Sequence, residues 1–552
     1  MVSTYEAVIG LEVHVELATH SKMFCDSPTT FGAEPNTQTC PVCLGEPGSL
    51  PVPNRRAIEY LMLIGLALDC RIAPHSLFHR KNYFYPDMPK NYQISQYDLP
   101  LCVEGYLDVE VDGAERRIGI TRAHMEEDTG KSLHVGTTGR IAEAKYSLID
   151  YNRAGIPLVE VVSEPDIRSA LEAQRYLTEL RAILQTLGVS DVRMEEGSMR
   201  CDANVSLRAP GTEAFGTKVE IKNLNSIRSV SRALTYEIDR QQKALDGGDG
   251  IVQETRHFDE NTGKTHSLRS KEEAFDYRYF PEPDLVPIEA GDDWIAEVRA
   301  LMPELPRARR ARIASEHDLT PEQAAFVAAS PSSVQYFEAL LASGTAARDA
   351  AVWMAGELSR ALNEAGESIE NARVSAADLA ALIAAVKEGT VTLSSAKKAF
   401  QDAYTAGKTP LQIVDERGLH QVSDDGAIAT IVDEVLSANE AEVARFRAGE
   451  EKVFKFLVGQ VMKATKGQAS PQVVDRVLRA RLARVRVQEW PSSRLRRSEP
   501  KGSRSRRSRV GSWVSSRCRS SDPSSPSSSD RSRANTSSRI RTWAAPTWRA
   551  PG

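Results

Sequence analysis

The first apolar run of the chain, residues 9–19 (IGLEVHVELAT), places two acids and a histidine at every second position. Glu12, His14 and Glu16 alternate with apolar residues, so in a β-strand all three side chains point to one face. Two carboxylates beside an imidazole could hold a metal ion. The same alternation is typical of a strand whose polar face is in water, so this stretch alone leaves both interpretations open.

Three further groups of acids follow in the same part of the chain. They contain His124, Glu126, Glu127 and Asp128; Glu195, Glu196 and Asp202; and Glu220 beside Lys222. Carboxylates on neighbouring strands repel one another unless a cation lies between them. Oxygen ligands with one imidazole fit Mg²⁺, which keeps several waters and binds substrate phosphates. Together the four groups predict a magnesium and nucleotide site, whereas each alone is more typical of a solvated surface.

None of the common nucleotide-binding fingerprints accompanies these acids. The sequence has no Walker loop, no G-x-G-x-x-G fingerprint and no kinase signature. Residues 80–100 (RKNYFYPDMPKNYQISQYDLP) are instead rich in Tyr, Asn, Gln and Pro. A loop of this composition can stack a base or hold a phosphate, so Arg80, Lys81, Tyr83 and Lys90 are predicted to bind ATP. The alternative is a long surface loop with aromatic anchors.

The cysteines allow half a metal site but no disulfide framework. Seven cysteines at irregular spacing in 552 residues lack the density of a disulfide-rich domain. Cys25, Cys40 and Cys43 form a C-x14-C-x2-C pattern, and its C-x2-C pair is typical of half a zinc site. A structural zinc needs four ligands, and Cys70 is the nearest further cysteine.

The hydrophobic patterns predict an α+β protein whose β-rich part comes first. Residues 1–292 contain short alternating runs separated by turn signals, with one helix over 168–188 that stops at Gly188. Residues 293–405 are Ala-rich and helical, with a capping box that begins at Thr320. Residues 406–483 are predicted to form a smaller helical domain. Its basic residues indicate either contact with phosphates or a charged face in water, and the sequence leaves both interpretations open.

The last part of the chain differs in charge and composition. Residues 484–552 carry 17 of the 70 Lys and Arg residues but 4 of the 75 Asp and Glu residues. This Arg- and Ser-rich segment has no periodicity and is predicted to be disordered. It also holds four of the six tryptophans, which favours a gene read in the wrong frame over an RNA-binding tail. No segment has the length and apolarity of a membrane span, so a soluble cytoplasmic protein is expected.

Taken together, these stretches resemble the GatB family, the B subunits of the tRNA-dependent amidotransferases. The matching stretches run in order along residues 1–483: IGLEVHVEL, SKMFC, CPVCLGEPGSLP, RKNYFYPDMPKNYQISQYDLP, HMEEDTGKS, DYNRAGIPLVEVVSEPDI, MEEGSMRCDANVSL, EIKNLNS, DYRYFPEPDL and KATKGQASP. The resemblance implies a β-rich cradle domain in residues 1–292 and a helical domain in 293–405. A helical tail domain similar to the free-standing YqeY proteins, in residues 406–483, would bind tRNA.

The resemblance also implies a ligase activity and its partners. In this family, ATP and Mg²⁺ serve to phosphorylate the side-chain carboxylate of Glu-tRNA(Gln), and often of Asp-tRNA(Asn), and ammonia then displaces the phosphate. The enzyme is a heterotrimer, in which an amidase subunit releases that ammonia from glutamine and a small third subunit holds the other two together. The alternative is a non-catalytic scaffold that only binds tRNA, against which the presence of every acid and of His14 argues.

The match to the family's motifs assigns roles to individual residues. The implied magnesium ligands are His14, Glu127, Asp202 and Glu220, and the implied catalytic residues are Glu12, His14, Glu126 and Glu127. Glu16 is expected to be a solvated neighbour. Many relatives with the C-x2-C pair also carry C-x-C where this chain has Cys25-Asp26-Ser27. A fourth zinc ligand is therefore missing, and tight zinc binding is not expected.

Overall fold

The computed structural model describes residues 5–136, 144–270, 276–421, 424–465 and 467–484. The chain divides into two units, residues 1–421 and 422–552. Strands dominate up to residue 289 and helices follow, which confirms the predicted α+β class. In the part of the chain that the structure describes, no helix has the length and apolarity needed to cross a membrane. Most of the Arg- and Ser-rich segment, from residue 485 onward, lies outside the described residues.

The first unit contains all the strands of the described residues. In chain order they are β1 (Glu6–Glu16), β2 (Arg71–Ile72), β3 (His75–Ser76), β4 (His79–Asn82), β5 (Tyr92–Ser95), β6 (Cys102–Val111), β7 (Ala114–Glu127), β8 (Lys131–Gly136), β9 (Ala144–Asp150), β10 (Pro157–Ser163), β11 (Met199–Arg208), β12 (Val219–Leu224), β13 (Glu254–Asp259), β14 (Lys264–Ser270), β15 (Phe280–Pro281) and β16 (Ile288–Glu289).

Helices occur in both units. In chain order they are α1 (Pro41–Leu44), α2 (Arg55–Ala67), α3 (Ala170–Leu187), α4 (Ile227–Asp246), α5 (Asp292–Ala300), α6 (Pro306–His317), α7 (Pro321–Val327), α8 (Pro331–Ala342), α9 (Ala347–Trp353), α10 (Ser359–Ala365), α11 (Ala376–Lys387), α12 (Leu393–Ala406), α13 (Pro410–Glu416), α14 (Asp425–Ala438), α15 (Glu440–Arg447), α16 (Lys452–Ala464) and α17 (Pro471–Arg484). A π-helical turn, Met354–Leu358, joins α9 to α10, and a 3-10 turn, Ile369–Asn371, precedes α11.

One large sheet organises the first unit. Its strand order is β14-β13-β12-β11-β1-β10-β7-β5-β4-β15, with β6 beside β7 and β2 beside β6. The β12–β13 pair is parallel, and the other pairs of this sheet are antiparallel. The pairs β3–β16 and β8–β9 lie outside it. Strand β1, which carries the opening run of the sequence, therefore lies near the middle of the sheet.

The alternation in β1 sorts its side chains onto two faces. Leu11, Val13 and Val15 are buried in the main core, whereas Glu12 and His14 on the other face are half-buried. Helices α2, α3 and α4 pack against the apolar face of the sheet. Burying apolar side chains there contributes about 25 cal/mol for each Å² removed from water. The opposite face is left to carry the acids.

Helix α3 occupies the segment predicted from the sequence. The Ser169 side chain accepts the backbone N–H of Glu172, and the chain leaves the helix through Gly188 at φ 67°. Glycine adopts this left-handed conformation without a steric cost, which explains why the helix ends there. Thr320 and Gln323 form the predicted capping box of α7.

Two further hydrophobic cores follow the sheet. The second consists of residues between Ile313 and Leu419, and the third of residues between Ile428 and Leu482. Helix α13 contributes Ile413 and Val414 to the second core. The segment 406–421, assigned from the sequence to the tail domain, therefore packs with the helical domain that precedes it.

Candidate functional site

Three neighbouring strands bring His14, Glu126 and Glu160 together on the polar face of the sheet. In the strand register His14 lies opposite Glu160, and Glu160 lies opposite His124. His14 Nε2 is 3.5 Å from Glu160 Oε2, and His124 Nε2 is 3.6 Å from both Glu160 Oε2 and Glu126 Oε1. One ligand atom from each of His14, Glu126 and Glu160 falls within 4.8 Å of the others. We call these three residues the histidine–acid group.

The charged neighbours of each residue set the pKa values in the histidine–acid group. Burial alone raises the pKa of Glu126, but Lys81 and the two histidines outweigh it, so the net pKa is lowered. Burial also raises the pKa of Glu160, but His124 and His14 outweigh it and lower the pKa to about 2. Burial lowers the pKa of His14, yet the hydrogen bond and charge of Glu160 raise it to about 8. The group therefore presents two carboxylates to any cation, and a metal would displace the proton of His14.

A second cluster lies on the same face of the sheet, on the side where β1 pairs with β11. Glu12 faces Asp202 in the strand register, and Glu220 on β12 completes three carboxylates whose oxygens lie within 4.8 Å of one another. We call these three residues the carboxylate group. Lys222 Nζ is 2.6 Å from Asp202 Oδ2 and 3.3 Å from Glu220 Oε1. Burial, together with Glu160 and Asp202, raises the pKa of Glu12.

The donors of both groups fit Mg²⁺. Carboxylate oxygens are the ligands that Mg²⁺ prefers, and two acids sharing a face are stabilised by a cation between them. Asn204 adds a further oxygen beside Glu12. Its amide nitrogen donates to Glu12 Oε1 at 2.9 Å, while its Oδ1 is buried and accepts no hydrogen bond from any described residue. A buried oxygen without a hydrogen-bond donor, next to acids, is suited to bind a cation or a water attached to it.

Glu127 takes part in different contacts, although it directly follows Glu126. Its carboxylate pairs with the ammonium of Lys90 and accepts the backbone N–H of Ile94 at 2.7 Å. Successive residues of a strand point to opposite faces, so Glu126 and Glu127 diverge. The structure therefore brings His14 together with Glu126 and not with Glu127. A metal role for Glu127 stays a prediction, and it requires the pair with Lys90 to open.

Among the residues predicted to bind ATP, Lys81 lies beside the histidine–acid group. Lys81 Nζ is 3.7 Å from Glu126 Oε1 and 5.2 Å from the centre of the Tyr277 ring. The Tyr83 ring stacks on Tyr85 with centroids 5.9 Å apart. Nucleotide binding by these residues stays a prediction.

Arg80, from the same predicted loop, is held by a buried acid. Its guanidinium donates two hydrogen bonds, of 2.6 and 2.8 Å, to Glu282, and it lies over the Tyr92 ring at 4.2 Å. The Glu282 side chain is 0 % exposed. A phosphate would have to compete with this bidentate pair.

Glu16 is not the solvated residue that the sequence suggested. Burial and the neighbouring carboxylate of Asp128 raise the pKa of Glu16 to about 8. Burial also acts on Asp128, but Arg200 and Arg153 lower its pKa overall, and Arg200 Nη2 lies 2.6 Å from Asp128 Oδ2. The pair therefore shares one proton at neutral pH, held by Glu16.

Comparison with known proteins decides the family. Residues 7–296 match the family model described as the GatB/GatE catalytic domain, and residues 335–482 match the GatB domain. This chain belongs to the GatB family. It is 54 % identical over 478 residues to the B subunit of the aspartyl/glutamyl-tRNA(Asn/Gln) amidotransferase of Geobacter sulfurreducens, covering 87 % of this chain and 99 % of the relative. The Moorella thermoacetica protein of the same name is 53 % identical, covering 87 % of this chain and 100 % of the relative.

Both acid groups lie inside the region that matches the GatB catalytic domain. This position favours the enzymatic interpretation over the scaffold. Sequence reasoning missed Glu160 as a member of the site, although it alternates with apolar residues in PLVEVVS as Glu12 and His14 do in β1. It also missed Lys222 as the cation that balances the carboxylate group.

The three cysteines of the predicted zinc half-site in this GatB-family chain form a compact group with Ser27 and Lys22, which we call the cysteine pocket. The sulfurs of Cys25, Cys40 and Cys43 lie within 4.8 Å of one another, and Ser27 Oγ is 3.9 Å from Cys43 Sγ. Lys22, which is 0 % exposed, interacts electrostatically with all three sulfurs. Three sulfurs, a hydroxyl and an ammonium do not fit a closed structural zinc site, which takes four ligands. Weak zinc binding stays a prediction.

The neighbours of the Cys43 sulfur lower its pKa, although the sulfur also lies 3.3 Å from the carbonyl oxygen of Cys40, to which a thiol would donate. Its pKa is lowered to about 4, first by the hydrogen bond from Cys25 and then, against the opposing effect of burial, by the backbone N–H of Cys40 and by Lys22. That N–H donates to Cys43 Sγ at 3.0 Å.

Proposed function

We propose that this chain is the tRNA-acting subunit of a glutamine-hydrolysing tRNA amidotransferase. It would use ATP to phosphorylate the side-chain carboxylate of Glu-tRNA(Gln), Asp-tRNA(Asn) or both, and ammonia would then displace the phosphate. The observation that carries the proposal is the pair of acid groups on one sheet face, inside the region that matches the GatB catalytic domain.

The chemistry explains why such a site needs both acids and fixed cations. A carboxylate is a poor electrophile, and its attack on a phosphate brings two anions together. Mg²⁺, when bound, offsets this repulsion and orients the phosphates. The histidine–acid group and the carboxylate group are the residues that would hold it. Burial opposes the charge of Lys81, but Glu126 raises its pKa overall, so Lys81 stays protonated and can contact a phosphate oxygen.

The partners follow from the same proposal. The relatives are named as one subunit of an amidotransferase, so we infer that this chain works in a heterotrimer with a glutamine-hydrolysing amidase subunit and a small third subunit. The helices of the third core, in residues 424–484, would contact the tRNA through their lysines and arginines. The site of action would be the cytoplasm, where tRNA is charged.

The test is amidation of Glu-tRNA(Gln) and Asp-tRNA(Asn) by the chain co-expressed with the amidase and small subunits, in the presence of glutamine and ATP. His14→Ala is expected to abolish ATP cleavage and amidation while tRNA affinity is retained. His20→Ala is the matched control, because His20 is exposed just beyond β1. Normal amidation by His14→Ala would remove His14 from the site. An unmodified complex that binds tRNA without cleaving ATP would support the scaffold.

A further inference from the structure

The two sulfurs of the C-x2-C pair in the cysteine pocket are in van der Waals contact. Cys40 immediately precedes α1, and Cys43 lies three residues later on the same face of this single turn. Their sulfurs are 3.8 Å apart. We propose that Cys40 and Cys43 are a thiol oxidation site, which hydrogen peroxide converts into a reversible disulfide.

The pocket favours Cys43 as the sulfur that reacts first. Cys43 Sγ accepts the backbone N–H of Cys40, and the Lys22 side chain interacts with the same sulfur. Peroxide oxidises cysteines through their thiolate form, and the backbone N–H of Cys40 is placed to donate to that form of Cys43. Cys25 and Cys40 are half-exposed, so the pocket is open to a small oxidant even though Cys43 is buried.

The reaction balances in two steps. The Cys43 thiolate attacks one peroxide oxygen, the O–O bond breaks, and protonation of the leaving hydroxide releases water, which leaves a sulfenic acid on Cys43. The Cys40 sulfur then attacks Cys43 Sγ, and the sulfenic oxygen leaves as a second water with the thiol proton. The two sulfurs lose two electrons in total, and hydrogen peroxide is reduced by two.

The other described cysteines provide an internal contrast. Cys70, Cys102 and Cys201 are buried in the main hydrophobic core. Burial keeps a dissolved oxidant away from all three sulfurs, and it also raises the pKa of Cys70 and Cys102. They are expected to stay reduced under conditions that oxidise Cys43.

Closing the disulfide would disturb the Lys90–Glu127 pair. The two sulfurs must approach from 3.8 Å to a bond length of about 2.05 Å, which shifts α1. Gly45 ends this helix, and a Cβ built on Gly45 would lie only 2.5 Å from Lys90 Cγ, so the backbone there rests against Lys90. On the other side, a Cβ built on Gly155 would lie 3.7 Å from Cys43 Cβ and 3.9 Å from Glu127 Oε2. Slower amidation is therefore expected after oxidation, a consequence that rests on the proposed function.

Mass spectrometry of the full chain tests the disulfide independently of activity. The purified, metal-stripped protein is treated with hydrogen peroxide, its free thiols are alkylated, and it is cleaved with trypsin and Asp-N. Cleavage before Asp26 separates Cys25 from Cys40 and Cys43, which share the peptide that ends at Arg55. We expect that peptide to be two hydrogens lighter and unalkylated, and to become alkylated after reduction with dithiothreitol.

Variants and the complex complete the test. Cys40→Ser should leave no intramolecular disulfide in this peptide, whereas the matched control Cys70→Ser should behave as the unmodified chain. In the complex with the amidase and small subunits, peroxide should slow amidation, and dithiothreitol should restore it, in the Cys70→Ser protein but not in Cys40→Ser. Full alkylation of Cys40 and Cys43 after peroxide, or a bridge to Cys25 instead, would overturn the proposal. If no complex amidates, the proposed function fails while the mass measurement still decides the thiol chemistry.

Discussion

His14 Nε2 lies 3.5 Å from Glu160 Oε2, on adjacent antiparallel strands at the middle of the sheet. This contact holds a half-buried imidazole beside a carboxylate whose pKa is lowered to about 2. Glu160 therefore acts on the site in two ways, as a potential ligand and as the anion that orients His14. The expected ligand set, built from sequence motifs, did not include it.

Glu160→Gln should impair the Mg²⁺-dependent reaction. The amide keeps the size of the side chain but removes the charge that faces His14 and His124. Loss of a residue that orients a metal ligand typically costs about 10- to 100-fold in metal affinity or activity. The measurement is the rate of ATP cleavage by the complex against Mg²⁺ concentration. Glu110→Gln, an exposed acid on β6, is the control, and equal Mg²⁺ dependence in the two variants would contradict the role of Glu160.

Lys81→Met should lower kcat/KM for ATP without a comparable loss of stability. Methionine keeps the apolar stem of the side chain but leaves Glu126 without the ammonium that lies 3.7 Å from its Oε1. We expect kcat/KM for ATP to fall at least tenfold, which corresponds to about 1.4 kcal/mol of transition-state stabilisation. Lys131→Met removes an exposed lysine on β8 and serves as the control. The prediction fails if Lys81→Met lowers the melting temperature but leaves kcat/KM unchanged.

Arg80→Met distinguishes a structural arginine from one that binds nucleotide. Glu282 is fully buried and accepts two hydrogen bonds from Arg80. Removing the arginine leaves a buried carboxylate without its cation, which costs about 3 kcal/mol of unfolding free energy. Chemical denaturation of the chain would report this loss, with the exposed Arg116→Met as reference. A stable Arg80→Met protein with a raised KM for ATP would instead favour the nucleotide role.

Local signals made some of this fold predictable from the sequence. The ends of α3 are set by Ser169 and Gly188, and the start of α7 by Thr320 and Gln323, within a few residues of each helix. Helix α2 was missed because residues 61–67 form a continuous buried apolar run, and such a run does not distinguish a strand from a buried helix.

The composition of the site depends on contacts that no local pattern contains. Glu126, and not Glu127, meets the His14 side of the sheet because β7 pairs with β10 so that Glu126 lies opposite Leu158. A register shift follows between Val162 and Ser163 on β10. A change of one residue in such pairing exchanges the two faces of a strand, and alternation within β7 alone leaves that choice open.

Substitutions of the two members of the Glu16–Asp128 pair are expected to differ in their effect on stability. Glu16 carries the shared proton, so Glu16→Gln replaces a neutral acid with a neutral amide of the same size and should fold normally. Asp128→Asn removes the anion that Arg200 and Arg153 face, and should lower the unfolding free energy by about 3 kcal/mol. Chemical denaturation at pH 7 in a chelating buffer measures both, and equal losses would refute the shared proton.

The same pair gives stability a pH dependence whose sign follows from Glu16. Its pKa is raised from the ordinary 4.5 to about 8, so above pH 4.5 the unfolded chain releases a proton that the folded chain retains. The stability that depends on this proton is complete below pH 4.5 and is lost progressively as the pH rises towards 8. Glu16→Gln has no proton to lose, so relative to the unmodified chain it should gain about 1 to 3 kcal/mol of unfolding free energy between pH 5 and pH 8. Parallel pH profiles of the two proteins over this range would mean that Glu16 is ionised in the folded state.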